Sequence, residues 1–201
     1  MAAVWSLLAQ GLAYIDYSQP APENWELRLT EAGAAAAADR HPNPDDPAGY
    51  LVRLREIPHM SSLVREYATE ALQAYNARLY RASAVMLSVA SEAAVLEAAE
   101  GLAAILNDTE KQQFLEQMAS PKLNMVAKFN VFQQKMRSHR DRLPKQVADS
   151  LELTVHAVAE FLRVSRNDAG HPTGVKIDRE ECFSLLQMFI QYARKLYALR
   201  T

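Results

Sequence analysis

Apolar residues recur at helical spacing through most of the chain beyond residue 55. The positions that carry the pattern are Leu63, Tyr67, Ala71 and Tyr75, then Met86, Val89, Ala93, Leu96, Ala99 and Leu106. Apolar side chains three or four positions apart line one face of an α-helix. The pattern therefore predicts two consecutive helices, with a break at residues 76–79.

Further helices follow, and two of them have clear start signals. Ser120-Pro121 is typical of an N-cap followed by proline at the first helical position. Asp178, with Glu181 three residues later, resembles a capping box and predicts the start of the last helix. No strand-like alternation competes here, so we predict that residues 56–201 form an all-α antiparallel bundle of five or six helices.

The first 38 residues have a different pattern. An apolar segment at 4–12 is followed by alternating runs at 13–17 and 25–29, with a proline-rich turn between them, and then by an alanine-rich helix. The order helix, hairpin, helix resembles the C-terminal half of a winged helix, including the Leu-x-Leu-Thr-x-x-Gly exit of residues 27–33. The usual first two helices of that family are missing. A unit this small cannot hold a stable core alone, so the alternative is an arm that packs on the main domain.

A change of composition separates this segment from the helices. Residues 39–49, DRHPNPDDPAG, contain three prolines, a glycine and four charges. Proline fixes φ and removes a donor, while acidic side chains remain solvated, so such a sequence favours a linker. We therefore predict a winged-helix-like appendage at 1–38, a linker at 39–55 and a helical domain at 56–201.

The overall composition is that of a globular protein. Of 201 residues, 49% are hydrophobic and 23% charged, and the formal net charge is -2. The single cysteine, Cys182, excludes an intrachain disulfide and favours a reducing compartment. Because no apolar run approaches the ~18 residues of a membrane span, and no signal sequence begins the chain, we expect a cytoplasmic protein with no membrane association.

The charges are distributed unevenly. Residues 122–145 contain seven lysines and arginines but only one acid, Asp141. Such a run is commonly a solvated helix face, or else a track for a phosphate backbone. The candidate nucleic-acid contacts are Lys128, Lys135, Arg137, Arg140 and Arg142.

Motifs for cofactors and metals are missing from the sequence. The five histidines are scattered, and none has a histidine four positions away or a cysteine nearby. The chain contains neither a glycine-rich phosphate loop nor a serine-nucleophile motif. We therefore expect no metal and no cofactor.

Glu92 falls on an apolar stripe with Val85, Val89 and Leu96. A buried carboxylate needs a partner, because its desolvation is costly. Glu92 either makes a structural hydrogen bond, lies where the stripe reaches solvent, or forms an ion pair with Arg163 or Arg166.

A polar sequence, RNDAGHPTG at residues 166–174, follows a long amphipathic segment. Gly170 and Pro172 are unfavourable in a regular helix, so His171 lies just beyond a predicted helix end. Arg163 and Arg166 are three positions apart and therefore share a face. Read from the residues alone, the segment is either a polar helix terminator or a functional site.

This segment resembles the Arg-x4-6-His motif of the HEPN superfamily, which consists of small all-α domains named for higher eukaryotes and prokaryotes nucleotide-binding. Asn167 satisfies the family's preference for a polar residue after the arginine, and the resemblance extends over roughly residues 56–200. It implies metal-independent RNA cleavage at a composite site where two motifs face each other across a homodimer. Arg166 would hold the phosphate and His171 would exchange protons, with Asn167 and Asp168 in orienting roles.

The same resemblance implies a setting. HEPN ribonucleases belong to prokaryotic defence and toxin–antitoxin systems, so a regulatory or antitoxin protein is an expected partner besides RNA. Many HEPN domains are instead non-catalytic and dimerise or bind a partner. The alternative is therefore a non-enzymatic dimerisation or partner-binding module of a nucleic-acid-binding regulator.

Overall fold

The computed structural model describes residues 2–9, 11–38, 42–152 and 177–200, together with residues 154, 156 and 159. The chain divides into two compact units, Met1–His41 and Pro42–Thr201. Most described residues are helical, and the described sheet consists of two strands. The prediction of a mainly α protein is confirmed.

The N-terminal unit contains a helix, an antiparallel hairpin and a second helix. These elements are α1 (Ala2–Ala9), β1 (Ala13–Asp16), β2 (Glu26–Leu29) and α2 (Glu31–Ala38). A short 3-10 turn at Pro22–Asn24 joins the strands, and the register places Tyr14 opposite Arg28. The order is the one that the alternating runs predict.

The sequence Leu-Thr-x-x-Gly has a specific role at the start of α2. The Thr30 hydroxyl donates to the Gly11 carbonyl at 2.8 Å and accepts from the Gly33 amide at 3.0 Å. A Cβ added to Gly33 would lie 1.8 Å from the Leu12 carbonyl oxygen. Glycine is therefore required here because the helix backbone approaches the chain that enters β1.

The larger unit is helical throughout its described length. Its helices are α3 (Pro47–Arg55), α4 (Ser62–Asn76), α5 (Tyr80–Ala103), α6 (Asp108–Ala119), α7 (Met125–Ser138), α8 (Lys145–Ala148) and α9 (Arg179–Tyr197), with 3-10 turns at Arg140–Arg142 and Ala198–Arg200. Residues 151, 152, 154, 156 and 159 are also helical. The break predicted at residues 76–79 separates α4 from α5.

Helix α5 is the centre of this unit and packs between α4 and α9. Its buried face is rich in alanine, and a Cβ at Gly101 would lie 2.3 Å from the Leu199 carbonyl oxygen. Small side chains allow the neighbouring backbones to approach closely. By length and hydropathy alone, α5 is long and apolar enough to cross a membrane, but 56% of its apolar window is buried within the bundle. Core helices of soluble proteins pass the same test.

The predicted start signals succeed at one helix and fail at another. The Asp178 carboxylate accepts from the Glu181 amide at 2.9 Å and begins α9, as predicted. Helix α7 does not begin at Ser120-Pro121, because the Asn124 side chain accepts from the Ala127 amide and forms the cap. Beginning at Met125 places the apolar face of α7 in the core.

The predicted linker at 39–55 is partly wrong, because α3 occupies residues 47–55. The Asp46 carboxylate accepts from the Gly49 amide at 3.1 Å, and Pro47 stands at the first helical position. Tyr50 is fully buried, and its hydroxyl donates to the Leu186 carbonyl at 2.9 Å. The prolines and acids that suggest a linker here form the cap of a core helix.

Candidate functional site

The motif residues predicted from the sequence belong to one interval of the chain. Arg163, Arg166, Asn167, Asp168 and His171 all lie outside the described residues. The structure does describe the elements on either side of this interval, together with Glu92 and the basic residues.

The C-terminal flank of the interval is fixed against α5. Ile177 is 7% exposed and directly precedes the Asp178 cap of α9. With the first turns of α5 it lines an open cavity of about 690 Å³. The other residues of the lining are Arg78, Leu79, Tyr80, Arg81, Ala82, Val85 and Met86. Ile177, six residues after His171, therefore lies beside two arginines, Arg78 and Arg81, and beside the apolar side chains of this lining.

Arg78 occupies a position that normally favours glycine. Its φ is 61°, in the left-handed region, and the Leu79 amide donates to the Ala74 carbonyl at 2.8 Å while the Arg78 amide donates to that of Tyr75 at 2.9 Å. These two bonds define a Schellman ending of α4, in which the left-handed residue is usually glycine. An arginine there costs about 1 kcal/mol of conformational strain, and its side chain lines the cavity.

Glu92 lies further along the exposed side of α5, two turns beyond Val85. It is partly buried, and burial raises the pKa of its carboxyl above the ordinary value. Within the described part of the chain, no hydrogen bond or ion pair reaches this carboxylate. Leu96, one turn further on, is 38% exposed. The predicted burial of Glu92 is therefore partial, and its predicted partners, Arg163 and Arg166, lie outside the described residues.

Lys135, predicted as a nucleic-acid contact, is engaged by an acid of α6. Its ammonium lies 2.9 Å from a carboxylate oxygen of Glu110, and the same oxygen lies 3.4 Å from Nε2 of His139. The hydrogen bond from Lys135 is the main cause of the lowered pKa of the Glu110 carboxyl. Glu110 thus offsets much of the positive charge at this end of α7.

Arg137 is also paired. Its guanidinium donates to both carboxylate oxygens of Glu152, at 3.0 and 2.7 Å, and this bidentate contact lowers the pKa of the Glu152 carboxyl. Glu152 is 15 residues downstream on another helical segment. Sequence reasoning missed this partner, because spacing along one helix cannot reveal an acid that the fold brings from elsewhere.

The remaining basic candidates differ in their surroundings. Arg140 is exposed and, with Arg137 and Lys145, lines an open depression of about 600 Å³. The Arg142 guanidinium donates to the Ile105 carbonyl at 3.4 Å. Lys128 is half-buried on α7, and among the described residues no acid pairs with it. The lining of that depression therefore groups three cations with one acid, Asp141, and does not include Lys128.

The described residues contain no group of three or more histidine, cysteine, aspartate or glutamate side chains that could hold a metal ion. Cys182 is buried, its thiol lies 3.1 Å from the Ser83 hydroxyl, and burial raises its pKa. A protonated, enclosed thiol of this kind is a poor nucleophile.

The chain was also compared with known proteins. No family model, curated protein or solved structure matches it.

Proposed function

We propose that this protein is a metal-independent endoribonuclease of the HEPN type. It cleaves RNA by attack of the 2′-OH at a composite site formed by two copies of the chain, in a cytoplasmic defence or toxin–antitoxin setting. The observation that carries the proposal is the sequence Arg166-x4-His171, which precedes the last helix of a mainly helical unit by a few residues in the chain.

The chemistry needs few groups, because RNA supplies its own nucleophile. The enzyme must hold the phosphate, move protons between the 2′-OH and the leaving 5′-oxygen, and stabilise the developing charge. A guanidinium matches phosphate geometry through two parallel hydrogen bonds, which suits Arg166. An imidazole with a pKa near ~6.5 exchanges protons at neutral pH, which suits His171. Asn167 and Asp168 then orient the phosphate or the imidazole.

Glu92 provides a second support for the site. A partly buried carboxylate whose pKa is raised by burial is most stable beside a cation. Two arginines are available in this part of the sequence: Arg166 belongs to the motif, and Arg163 lies three positions before it. In this proposal Glu92 positions one of them for the phosphate.

The cations around the 137–145 depression would supply general affinity for RNA. Arg137, Arg140 and Lys145 line that depression, and exposed ion pairs such as Arg137–Glu152 are weak enough for a phosphate to compete with the acid. Because the described lining of the depression contains no aromatic side chain for base stacking, this contribution would be independent of RNA sequence.

One observation favours the non-catalytic alternative. Lys135 and Arg137 are already paired with acids, so the basic run provides less positive potential than its composition suggests. A module that dimerises or binds a regulatory protein would not need that potential.

Cleavage of RNA in the presence of EDTA distinguishes the two functions. The purified protein is incubated with structured and single-stranded RNA beside Arg166→Ala and His171→Ala, with Lys111→Ala as a matched surface control and circular dichroism to verify folding. We expect wild type and the control to cleave and both motif variants to lose at least about 100-fold in rate. No cleavage by wild type, or cleavage that survives both substitutions, would falsify the assigned site.

A further inference from the structure

Strand β2 of the N-terminal unit is exposed along its whole length. Leu27 and Leu29 are 44% and 49% exposed, on the face of the hairpin that also holds Ile15. An isolated two-stranded hairpin is marginally stable in water, and a unit of about 40 residues buries too little apolar surface to compensate. This strand therefore gains stability from any partner that covers it.

The outer edge of β2 has its backbone groups directed away from β1. The Thr30 amide donates to the Leu12 carbonyl at 3.0 Å, and hydrogen-bonded pairs alternate along an antiparallel ladder. Glu26 and Arg28 therefore bond to β1, whereas Leu27 and Leu29 direct their amides and carbonyls outward. Within the described residues, no third strand pairs with that edge.

The sequence of β2 is complementary to itself in the antiparallel direction. A two-fold axis at Leu27 places this residue opposite the same residue of a second copy. Glu26 then lies opposite Arg28, and Trp25 lies opposite Leu29. Arg28 is 3.1 Å from Glu26 and from Asp16 in its own chain, so the charged face of the paired sheet would alternate in sign, while the other face pairs apolar side chains. The outward-directed backbone groups have the same centre: the two Leu27 residues exchange hydrogen bonds, and the Leu29 amide reaches the Trp25 carbonyl. The Trp25 amide takes no part, because it donates to the Pro22 carbonyl of its own chain at 3.2 Å.

The other edge of the hairpin lacks this property. A two-fold axis at Ile15 of β1 would place Asp16 opposite Tyr14, with no charge pair, and Ala13 is only 5% exposed. Natural edge strands resist self-association by being short or by carrying charged residues or proline. Strand β2 is short and carries two charges, but Glu26 and Arg28 are opposite in sign, so in this register they attract rather than repel a second copy.

We infer that β2 pairs antiparallel with β2 of a second copy of this chain, about a two-fold axis at Leu27, to form a four-stranded sheet. This interaction surface belongs to the N-terminal unit and does not depend on the proposed ribonuclease activity. Residues 166–171 are not part of this surface.

Cross-linking through the axis tests the pairing in the full chain. Opposed residues of a hydrogen-bonded pair have Cα atoms about 5.5 Å apart, within the range of a disulfide, and Cys182 is buried and does not compete. With oxidised glutathione as oxidant, Leu27→Cys should give a disulfide-linked dimer on a non-reducing gel. The matched control is Tyr14→Cys, an exposed position on β1, which should remain mostly monomeric. Equal cross-linking of the two variants, or none of either, would overturn the proposal.

Charge reversal in the Leu27→Cys background tests the register. Glu26→Arg alone and Arg28→Glu alone each place like charges opposite each other twice, and should lower the cross-linked fraction about tenfold. An equal mixture of the two variants pairs opposite charges again, and should restore cross-linking between unlike chains. A mixture that does not recover contradicts the two-fold register.

Hydrogen exchange on the unsubstituted protein gives a test that needs no variant. The amides of Leu27 and Leu29 should become more protected as protein concentration rises, while those of Glu26 and Arg28, already bonded to β1, change little. Protection of Leu27 and Leu29 that is independent of concentration from the low micromolar to the millimolar range would also overturn the pairing.

Discussion

The α6–α7 surface and the exposed side of α5 both carry charged groups, but the two regions differ in the partners that those groups have. On the first, Lys135 and Arg137 each have an acidic partner within 3 Å. On the second, Glu92 is partly buried, and the described residues provide no cation beside it. In the first region, neighbouring acids offset the positive charge. In the second, burial disfavours the ionised form of the Glu92 carboxyl. The number of charges in a stretch of sequence therefore says less about function than the identity of their partners.

Among the substitutions that test this comparison, Glu92→Gln should have the largest effect on activity and stability. If Glu92 pairs with Arg163 or Arg166, the substitution should lower RNA cleavage about tenfold and destabilise the fold by about 1 kcal/mol. The measurements are cleavage rate and thermal unfolding, with Glu70→Gln as the control, because Glu70 is exposed on α4 and no described residue pairs with it.

The pH dependence of that variant identifies the opposite case. A carboxyl whose folded pKa is raised above its unfolded value of ~4.3 destabilises the fold once pH exceeds the unfolded pKa, and the whole penalty is present above the folded pKa. If Glu92 had no cation beside it, Glu92→Gln would instead stabilise the protein at pH 7, and the gain would disappear as pH falls towards 4. That result would show that Glu92 pairs with neither Arg163 nor Arg166.

Arg78→Gly should separate stability from function at the start of α5. Glycine adopts the left-handed conformation without strain, so the variant should be more stable by about 1 kcal/mol. It also removes a cation from the cavity beside Ile177. If this cavity forms part of the RNA site, Arg78→Gly should raise the melting temperature and weaken RNA binding, whereas Arg78→Ala, which retains the strain, should weaken binding without stabilising. Unchanged RNA affinity in both variants would mean that this cavity does not contact RNA.

RNA affinity should separate the paired basic residues from the others. Arg140→Gln should weaken binding and reduce the salt slope by about 1, as loss of one phosphate contact does. Lys135→Gln should have a smaller effect, because Glu110 already neutralises that ammonium. Fluorescence anisotropy over a range of salt concentrations makes the comparison, and equal effects would mean that the pairing does not limit phosphate contact.

The smallest effect concerns stability at acidic pH. Hydrogen bonds from Lys135 and Arg137 lower the folded pKa of the Glu110 and Glu152 carboxyls below the unfolded value of ~4.3. Their contribution is therefore present above pH ~4.3 and is lost as pH falls through the lower folded pKa. The double variant Glu110→Gln/Glu152→Gln should show a flatter melting temperature between pH 5 and pH 3 than wild type, and an unchanged slope would mean that both pairs are too solvated to matter.

The parts that sequence could predict are those decided locally. The capping box at Asp178, the break between α4 and α5, and the N-terminal helix–hairpin–helix order all follow from neighbouring residues. The start of α7 was misplaced because Ser120 and Asn124 are both acceptable caps, and burial of Phe129 and its apolar neighbours decides between them. Helix α3 was missed because the prolines before it dominate its composition, although Tyr50 is a core residue.

The same distinction between local patterns and long-range packing applies to the candidate site. The motif at 166–171 is a local pattern in the sequence and stays a prediction. The stripe of Val85, Val89 and Leu96 predicts a buried face for Glu92, but these side chains are only partly buried or exposed, because Leu87, Val95 and the alanines of another face fill the core. The acids beside Lys135 and Arg137, in contrast, come from α6 and from residue 152. Their approach depends on how the helices pack, which no spacing rule within one helix contains.

A single measurement addresses the central claim, that His171 and Arg166 cleave RNA by using its own 2′-OH. An RNA that is cleaved at one defined position by the wild-type protein in EDTA is synthesised again with a single 2′-deoxy nucleotide at that position. Attack by the 2′-OH with His171 as proton carrier predicts a 2′,3′-cyclic phosphate on the product of the all-RNA strand, no cleavage at the modified position, and no product from either strand with His171→Ala. Cleavage at the 2′-deoxy position, or equal product with His171→Ala, would contradict it.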